Sequence, residues 1–284
     1  MLYLLLNIFS IFLAILPRSI ALCLGKFFGL TLYFLLPIRK KVAYINLKIV
    51  FPEKSKKQIN QIIKKSYMHY GMIMIEFIRN VSTIIKKQYY SINNQTEEIL
   101  TKEKSGLIFM TAHIGNWEML IPIISQYKKM AAIVRTQNNS SGDKFFYKAR
   151  NYNNVEIISK KGSKKKMLKS LYNNSVLTLA TDQNAKDKGI MIDFFGKPAS
   201  FPKGAGHFYY LTKSKIIIGF CILDKKMNYT FNLEYLEIED NIEQKEDIIV
   251  KVNERYVNKL EKIILKYPEQ YFWFHKKWDK NIYV

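Results

Sequence analysis

A histidine and a glutamate stand five positions apart in a short polar stretch of the sequence. Residues 111–118 read TAHIGNWE, which places His113 and Glu118 on either side of an Ile-Gly-Asn-Trp segment. A carboxylate that bonds one ring nitrogen of a histidine fixes the tautomer and leaves the other nitrogen available as a base. No serine or cysteine in a nucleophile-elbow pattern accompanies the pair. The stretch therefore predicts the base and the orienting group of a catalytic triad, with a substrate hydroxyl as the nucleophile.

This stretch lies between a predicted strand and a predicted helix. Residues 106–112 (GLIFMTA) form the continuous apolar run of a buried strand, and a helix is predicted over 117–127. Asn116 is a suitable N-cap for that helix, and Glu118 falls in its first turn, where the helix dipole favours a carboxylate. A strand–turn–helix corner folds His113 and Glu118 back toward each other. The alternatives are a buried histidine satisfied by the backbone and an ordinary carboxylate at a helix start.

Polar side chains also follow other predicted strands. Strands are predicted over 131–134 and 176–180, and Arg135 and Asp182 come just after them. Ligands of open α/β sheets bind outside the carboxyl ends of the strands, so we expect Arg135 and Asp182 beside His113. The alternatives are an exposed salt bridge for Arg135 and an ordinary turn residue for Asp182.

If the activated hydroxyl attacks a carbonyl group, the reaction needs a group that stabilises the charge on the carbonyl oxygen. Arg135 and the backbone amides near Gly115 and Asn116 are the candidates, either for that oxyanion or for a phosphate. The two cysteines, Cys23 and Cys221, have no metal-ligand spacing, and no other ligand constellation is visible. We therefore expect neither a metal nor a cofactor.

Strands that alternate with helices place these residues in an α/β fold. The alternation predicts a mainly parallel central sheet flanked by helices. No repeat, Gly/Ser linker or second boundary interrupts residues 42–284, which we assign to one catalytic domain. Beyond the segments already named, strands are predicted over 155–158, 216–223 and 229–238, and helices over 54–80, 142–151, 163–172, 203–213 and 244–266.

The N-terminal segment is apolar enough for a membrane. Residues 2–16 carry no charge, and residues 19–38 carry only Lys26. A bilayer span needs about 20 mainly apolar residues, which the second run supplies. We therefore predict an uncleaved membrane anchor and basic flank over residues 1–41, as one span or a hairpin-like pair, with the cluster 39–41 on the cytoplasmic side. The alternative is two buried core helices of a soluble domain.

The net charge of +22 indicates an acidic partner of some kind. No zinc-finger, homeodomain or RNA-recognition signature is present, so we do not expect nucleic acid. The lysine-rich stretch 160–169 either faces an acidic donor or an anionic headgroup, or is a solvated helix face.

Several blocks of the sequence, in order, resemble one known family. They are the block around His113 and Glu118, then VR (134–135), TDQN (181–184), FFGKPA (194–199) and PEQYFWFHKKW (268–278). With the apolar N-terminus, they resemble the late lauroyl/myristoyl acyltransferases of lipid A biosynthesis. These belong to the lysophospholipid-acyltransferase-like superfamily, which has an H-x4-D/E motif. The resemblance covers nearly the whole chain, although Lys276-Lys277 and Thr136 replace the Arg-Arg and Pro of many relatives.

The resemblance implies a function and a location. His113 would be the catalytic base and Glu118 its partner, and Arg135 and Asp182 would be further residues needed for activity. The enzyme would transfer an acyl chain from acyl carrier protein to a 3-hydroxyacyl chain of a lipid A precursor. It would work at the inner membrane, with its active site on the cytoplasmic side.

Two other readings fit parts of the sequence. One is a related acyltransferase that acts on a phospholipid or glycolipid, using acyl-CoA or acyl carrier protein. The other is a basic, non-catalytic membrane adaptor or nucleic-acid-binding protein, which leaves the His113 and Glu118 stretch unexplained.

Overall fold

A seven-stranded sheet is the centre of the fold. The computed structural model describes residues 1–83, 85–134, 139–159, 163–239 and 244–284. The strands in these residues are β1 (Tyr90–Ser91), β2 (Leu107–Thr111), β3 (Met130–Val134), β4 (Val155–Ser159), β5 (Val176–Ala180), β6 (Ile190–Phe194), β7 (Lys197–Phe201), β8 (Ile216–Leu223) and β9 (Tyr229–Tyr235). Within the sheet the order is β1-β9-β8-β2-β5-β3-β4, while β6 and β7 form a separate antiparallel hairpin.

The sheet is mainly parallel, as the alternating pattern predicts. Of its strand pairs, β8 with β9 is antiparallel, and the other five are parallel. β2 lies between β8 and β5, near the middle of the sheet. Ile108 and Met110 face one hydrophobic core and Leu107 and Phe109 face the other, so β2 is buried on both faces. This double burial is why its sequence is a continuous apolar run.

Helices flank the sheet. In the described residues they are α1 (Leu2–Ile15), α2 (Arg18–Leu35), α3 (Lys40–Val50), α4 (Lys56–Arg79), α5 (Asn94–Lys102), α6 (Leu120–Ile124), α7 (Ser140–Arg150), α8 (Lys164–Tyr172), α9 (Gly204–Thr212) and α10 (Lys245–Lys266). The long helix α4 begins at a capping box, in which the Ser55 side chain accepts from the amide of Gln58 and the Gln58 side chain accepts from the amide of Ser55.

Some local predictions were wrong or incomplete. The helix predicted over 117–127 is a 3₁₀ turn, Trp117–Met119, followed by the five-residue α6. After α6 the amide of Tyr127 donates to the carbonyl oxygen of Ile124, three residues earlier. The helix therefore ends in a tight 3₁₀-like turn before β3. The strand predicted to reach residue 238 ends at Tyr235. The pattern gave no prediction for α3 or for the β6–β7 hairpin.

The N-terminal helices pack directly on the rest of the protein. α2 lies along α4, and glycines let the two backbones touch. A methyl group on Gly29 would lie 2.0 Å from the carbonyl oxygen of Tyr67, and one on Gly71 would lie 2.1 Å from that of Gly25. Larger side chains at these positions would therefore separate the helices.

The outer faces of α1 and α2 are apolar and exposed. α2 is long and apolar enough to cross a membrane by length and composition, with 28% of its residues buried inside the protein. Exposed apolar side chains cover both helices, among them Ile8, Phe12, Phe27 and Phe34. A contiguous apolar surface of this kind marks a contact with a membrane or another partner.

Candidate active site

His113 follows β2 at the carboxyl edge of the sheet and forms a pair with Asp182. Its Nδ1 lies 2.8 Å from Oδ1 of Asp182, which follows the neighbouring strand β5. The two strands are in parallel register, with Thr111 opposite Ala180, so their ends deliver both side chains to one place. Because an ionised carboxylate only accepts hydrogen bonds, Nδ1 of His113 donates and Nε2 is left as the basic nitrogen.

The His113–Asp182 pair is largely buried, and each residue favours the charged form of the other. The side chain of His113 is 21% exposed and that of Asp182 only 3%. Burial alone would lower the pKa of His113, but the charge and hydrogen bond of Asp182, and then the charge of Glu118, raise it above its ordinary value. Burial alone would raise the pKa of Asp182, but His113 and then Lys277 lower it.

The structure corrects the predicted partner of His113. Among the described contacts, Nδ1 of His113 donates to the carboxylate of Asp182, and the expected hydrogen bond to Glu118 is not formed. Glu118 instead accepts two hydrogen bonds from Arg150, at 2.8 and 2.6 Å, and one from the indole of Trp117 at 3.1 Å. The reason is the 3₁₀ turn, which directs Glu118 toward α7. The assignment of His113 and Glu118 as catalytic residues stays a prediction.

The structure also corrects the roles expected for Gly115 and Asn116. Their backbone amides already donate to the carbonyl oxygens of Gln270, at 2.9 Å, and Cys221, at 2.8 Å. They are therefore not free to bind an oxyanion. Gly115 has a φ of +60°, and a methyl group there would lie 1.9 Å from the oxygen of Cys221, so this turn requires glycine.

Asn116 does not cap a helix. It stands before the 3₁₀ turn, but its side chain makes no capping hydrogen bond. Instead it is 1% exposed, and its Nδ2 donates to the hydroxyl of Tyr229 at 2.8 Å. The residue is thus a buried structural part of the turn.

The C-terminal segment holds the turn from the other side. The amide of Phe272 donates to the carbonyl oxygen of His113 at 2.9 Å. Nε2 of His69 lies 3.2 Å from the oxygen of Gly115, and burial lowers the pKa of His69 to about 4, so this histidine stays neutral. The backbone amide of Asn184 donates to Nε2 of His275 at 3.0 Å. His69 and His275 therefore both contact the backbone of the segments that surround the site.

Lys277, noted in the sequence as a replacement for an arginine of many relatives, is part of the site's interior. It is 2% exposed, and its Nζ donates to the carbonyl oxygen of Ser200 at 2.9 Å. Burial lowers its pKa to about 7, against the opposing effect of Asp182. Lys277 is therefore shielded from a ligand at the surface.

A cavity of about 830 Å³ opens beside His113. Its lining includes the polar side chains of His113, Glu118, Arg150 and Gln183, and Nε2 of Gln183 lies 3.5 Å from Nε2 of His113. The apolar part of its lining includes Leu120, Ile121, Met130, Ala132, Ile133 and Phe146. The arrangement presents a basic nitrogen to a space that has apolar walls for a hydrocarbon chain.

Arg135, like Lys160 and Lys161, lies outside the described residues. In the part of the chain that the structure describes, no three metal-ligating side chains come together.

The family model for bacterial lipid A biosynthesis acyltransferases matches residues 1–280. The chain belongs to this family. Comparison with curated proteins gives no match. The chain is therefore an acyltransferase of lipid A biosynthesis, and the His113–Asp182 pair and its cavity are the candidate active site of this acyltransferase.

Proposed function

We propose that this acyltransferase moves a fatty acyl chain from acyl carrier protein to the hydroxyl of a 3-hydroxyacyl chain on a lipid A precursor. The observation that carries the proposal is His113, paired with Asp182, in the lining of a cavity that also has apolar walls. A lipid-transfer reaction needs both a base for the hydroxyl and an apolar space for the acyl chain.

The proposed reaction runs through one imidazole. Nε2 of His113 accepts the proton of the acceptor hydroxyl while that oxygen attacks the thioester carbonyl carbon. The carbon–sulfur bond then breaks, and the leaving thiolate takes the proton from the imidazolium. The carboxylate of Asp182 stabilises the imidazolium between these two transfers.

Other predicted site residues enter this proposal through charge. The charge of Glu118 raises the pKa of His113. The carboxylate of Glu118 also accepts two hydrogen bonds from Arg150, another residue of the cavity lining. Arg135 is proposed from the sequence to stabilise the oxyanion or to bind a phosphate.

The membrane arrangement is also a proposal. We place the apolar faces of α1 and α2 in one leaflet of the inner membrane, with the site on the cytoplasmic side. The length of α2 is packed against α4, which supports a pair lying in the leaflet over an independent span. α1 contacts α7, whose Phe146 and Arg150 line the cavity, so the acceptor lipid would reach the site beside the membrane.

The proposed donor is acyl carrier protein. Acyl carrier protein is strongly acidic and suits a chain of net charge +22, which supports it over acyl-CoA. Acyl-CoA phosphates also bind lysine, so the alternative is a related phospholipid or glycolipid acyltransferase that uses either donor.

The test is a purified assay with defined partners. The full chain in detergent is given acyl-carrier-protein or CoA donors of matched length, with a lipid A precursor or a lysophospholipid as acceptor. Mass spectrometry reads the products. We expect one added acyl group on the lipid A precursor, lost in His113→Ala and kept in His207→Ala, a partly exposed histidine outside the site. Transfer only to lysophospholipid, or transfer that survives His113→Ala, would contradict the proposal.

A further inference from the structure

A buried polar network joins the N-terminal helix α2 to the turn that carries His113. At its centre is Glu76 of α4, which is 1% exposed. Its Oε1 accepts a hydrogen bond from Nε of Arg18 at 2.5 Å. Its Oε2 accepts from the hydroxyl of Tyr229 and lies 3.4 Å from Nδ2 of Asn116. One carboxylate therefore contacts both the first residue of α2 and the turn of the site.

The Arg18 end of this network exists only while α2 is packed in place. Arg18 is 6% exposed and donates a further hydrogen bond to the carbonyl oxygen of Met227. Its guanidinium carbon lies 4.7 Å from the ring centre of Tyr89 and 5.3 Å from that of Tyr229. If α2 moved away from α4, Glu76 would keep a buried charge without its cation, which is strongly unfavourable.

The Asn116 end controls the turn. Asn116 is next to Gly115, whose conformation admits no side chain, and three residues from His113. Its side chain is fixed through Tyr229 and Glu76, and its amide through Cys221. A change in the network therefore moves the segment that sets the direction of His113.

We propose that Glu76 is a positioning residue that makes the orientation of the His113 turn depend on the docking of α2. Its effect on acyl transfer rests on the proposed function, whereas its effect on the geometry of His113 does not. In the proposed reaction the acceptor is a membrane lipid, so the coupling restricts full activity to molecules whose membrane-facing helix α2 is in place.

The test uses the full-length protein in detergent. Glu76→Gln and Arg18→Met each leave one charge of the pair unpaired, and the double variant removes both. Tyr229→Phe deletes only the hydroxyl between Glu76 and Asn116. Lys148→Met is the control. Lys148 of α7 donates to Asn7 of α1 at 2.6 Å, so this substitution removes a contact of an N-terminal helix that lies outside the network.

Two measurements are made on each variant. One is the rate of carbethoxylation of His113 by diethyl pyrocarbonate, read by peptide mass spectrometry. The other is kcat and KM for transfer. Misplacing a catalytic group by about 1 Å costs about 100-fold, so we expect kcat to fall about 10- to 100-fold in the single variants with KM nearly unchanged. The rate of His113 modification should change in the same single variants. The double variant should depart less from the unaltered protein, in both kcat and modification rate, than either single variant.

The control variant keeps both values, and Tyr229→Phe changes them in the same direction by a smaller factor. Unchanged His113 reactivity and kcat in folded Tyr229→Phe and Glu76→Gln protein would overturn the proposal, as would equal losses in Lys148→Met. Near-UV circular dichroism checks that each variant is folded. If the charge variants do not fold, the results of Tyr229→Phe alone test the proposal. Should the chain transfer no acyl group at all, the proposed function fails while the modification rates still test the coupling.

Discussion

Arg150 donates two hydrogen bonds to the carboxylate of Glu118, with both its Nε and its Nη2 at 2.8 and 2.6 Å. The two side chains are 15% and 13% exposed, and they line the same cavity as His113. Such bidentate pairs are among the stronger polar contacts, and breaking one side of a buried pair leaves an uncompensated charge.

The first prediction therefore concerns stability as well as rate. Glu118→Gln should lower the free energy of unfolding by about 3 kcal/mol, because Arg150 loses its anion. The double variant with Arg150→Met should recover part of this loss. Urea unfolding of the four proteins measures the coupling between the residues. Additive effects would mean that the pair contributes little, and loss of transfer beyond the change in folded fraction would support a catalytic part for Glu118.

The second prediction concerns Asp182. Asp182→Asn keeps the shape of the side chain but removes the charge that stabilises the imidazolium, so kcat should fall by about 10²–10⁴-fold. The variant His113→Ala/Asp182→Asn should be no slower than His113→Ala alone, because the two residues act as one unit. A full additional loss in the double variant would show that Asp182 acts separately from His113.

The third prediction is a pH dependence whose sign follows from the same pair. The pKa of His113 is raised, so its stabilising contribution is complete below the ordinary value of 6.5 and is lost as pH rises through the raised value. The pKa of Asp182 is lowered, so its contribution is present above the ordinary value of 3.8 and is lost as pH falls through the lowered value. Melting temperature measured against pH should show both changes, and Asp182→Asn should weaken them.

The same pKa shift predicts the rate profile. Because a base acts in its neutral form, kcat/KM should rise with pH up to a value above 6.5. In Asp182→Asn the rising limb of this pH profile should move to lower pH, since the charge that raises the pKa of His113 is gone. A limb that stays in place would assign it to another group.

The fourth prediction concerns the membrane face. Phe27, on α2, is 69% exposed, and Tyr172, on α8, is 68% exposed. Inserting a phenylalanine side chain in an apolar phase gains about 1.5–3 kcal/mol, so Phe27→Asp should weaken vesicle binding by at least about tenfold. Tyr172→Asp should bind like the unaltered protein. Sedimentation with lipid vesicles measures both, and equal binding of the two variants would remove Phe27 from the contact.

The fifth prediction concerns the basic surface. Lys164, Lys165, Lys166 and Lys169 are exposed on α8. Exposed charges act over about 8 Å at physiological salt, so neutralising Lys164, Lys165 and Lys166 should raise KM for the acyl-carrier-protein donor and flatten its salt dependence, with kcat nearly unchanged. The triple change of Lys56, Lys57 and Lys65 on α4 is the matched control. Identical salt dependence in all three proteins would identify the α8 lysines as a solvated helix face.

The sequence predicted the sheet and the edge where the site lies, but not the pairing inside the site. Residues close in sequence favoured Glu118 as the partner of His113. Asp182 is the partner because β5 lies beside β2, with β3 and β4 placed beyond it. Strand order depends on the packing of the whole sheet, which local patterns do not report.

Burial explains the other differences. Lys277 lies within a motif that looks basic and accessible, yet its charge is inside the protein. Glu76 stands between apolar neighbours on a helix predicted from its apolar stripe, and this position was a signal of a buried carboxylate. Its partner Arg18 is 58 residues away, and no spacing rule connects them.

The register between β2 and β5 has a consequence for how this site can tolerate change. Thr111 and Ala180, the last residues of β2 and β5, are paired in the sheet, so the strand ladder sets the relative position of the two short segments that carry His113 and Asp182. Successive side chains on a strand point to opposite faces. Deleting a single residue inside β5 would turn the far end of that strand over and withdraw Asp182 from His113.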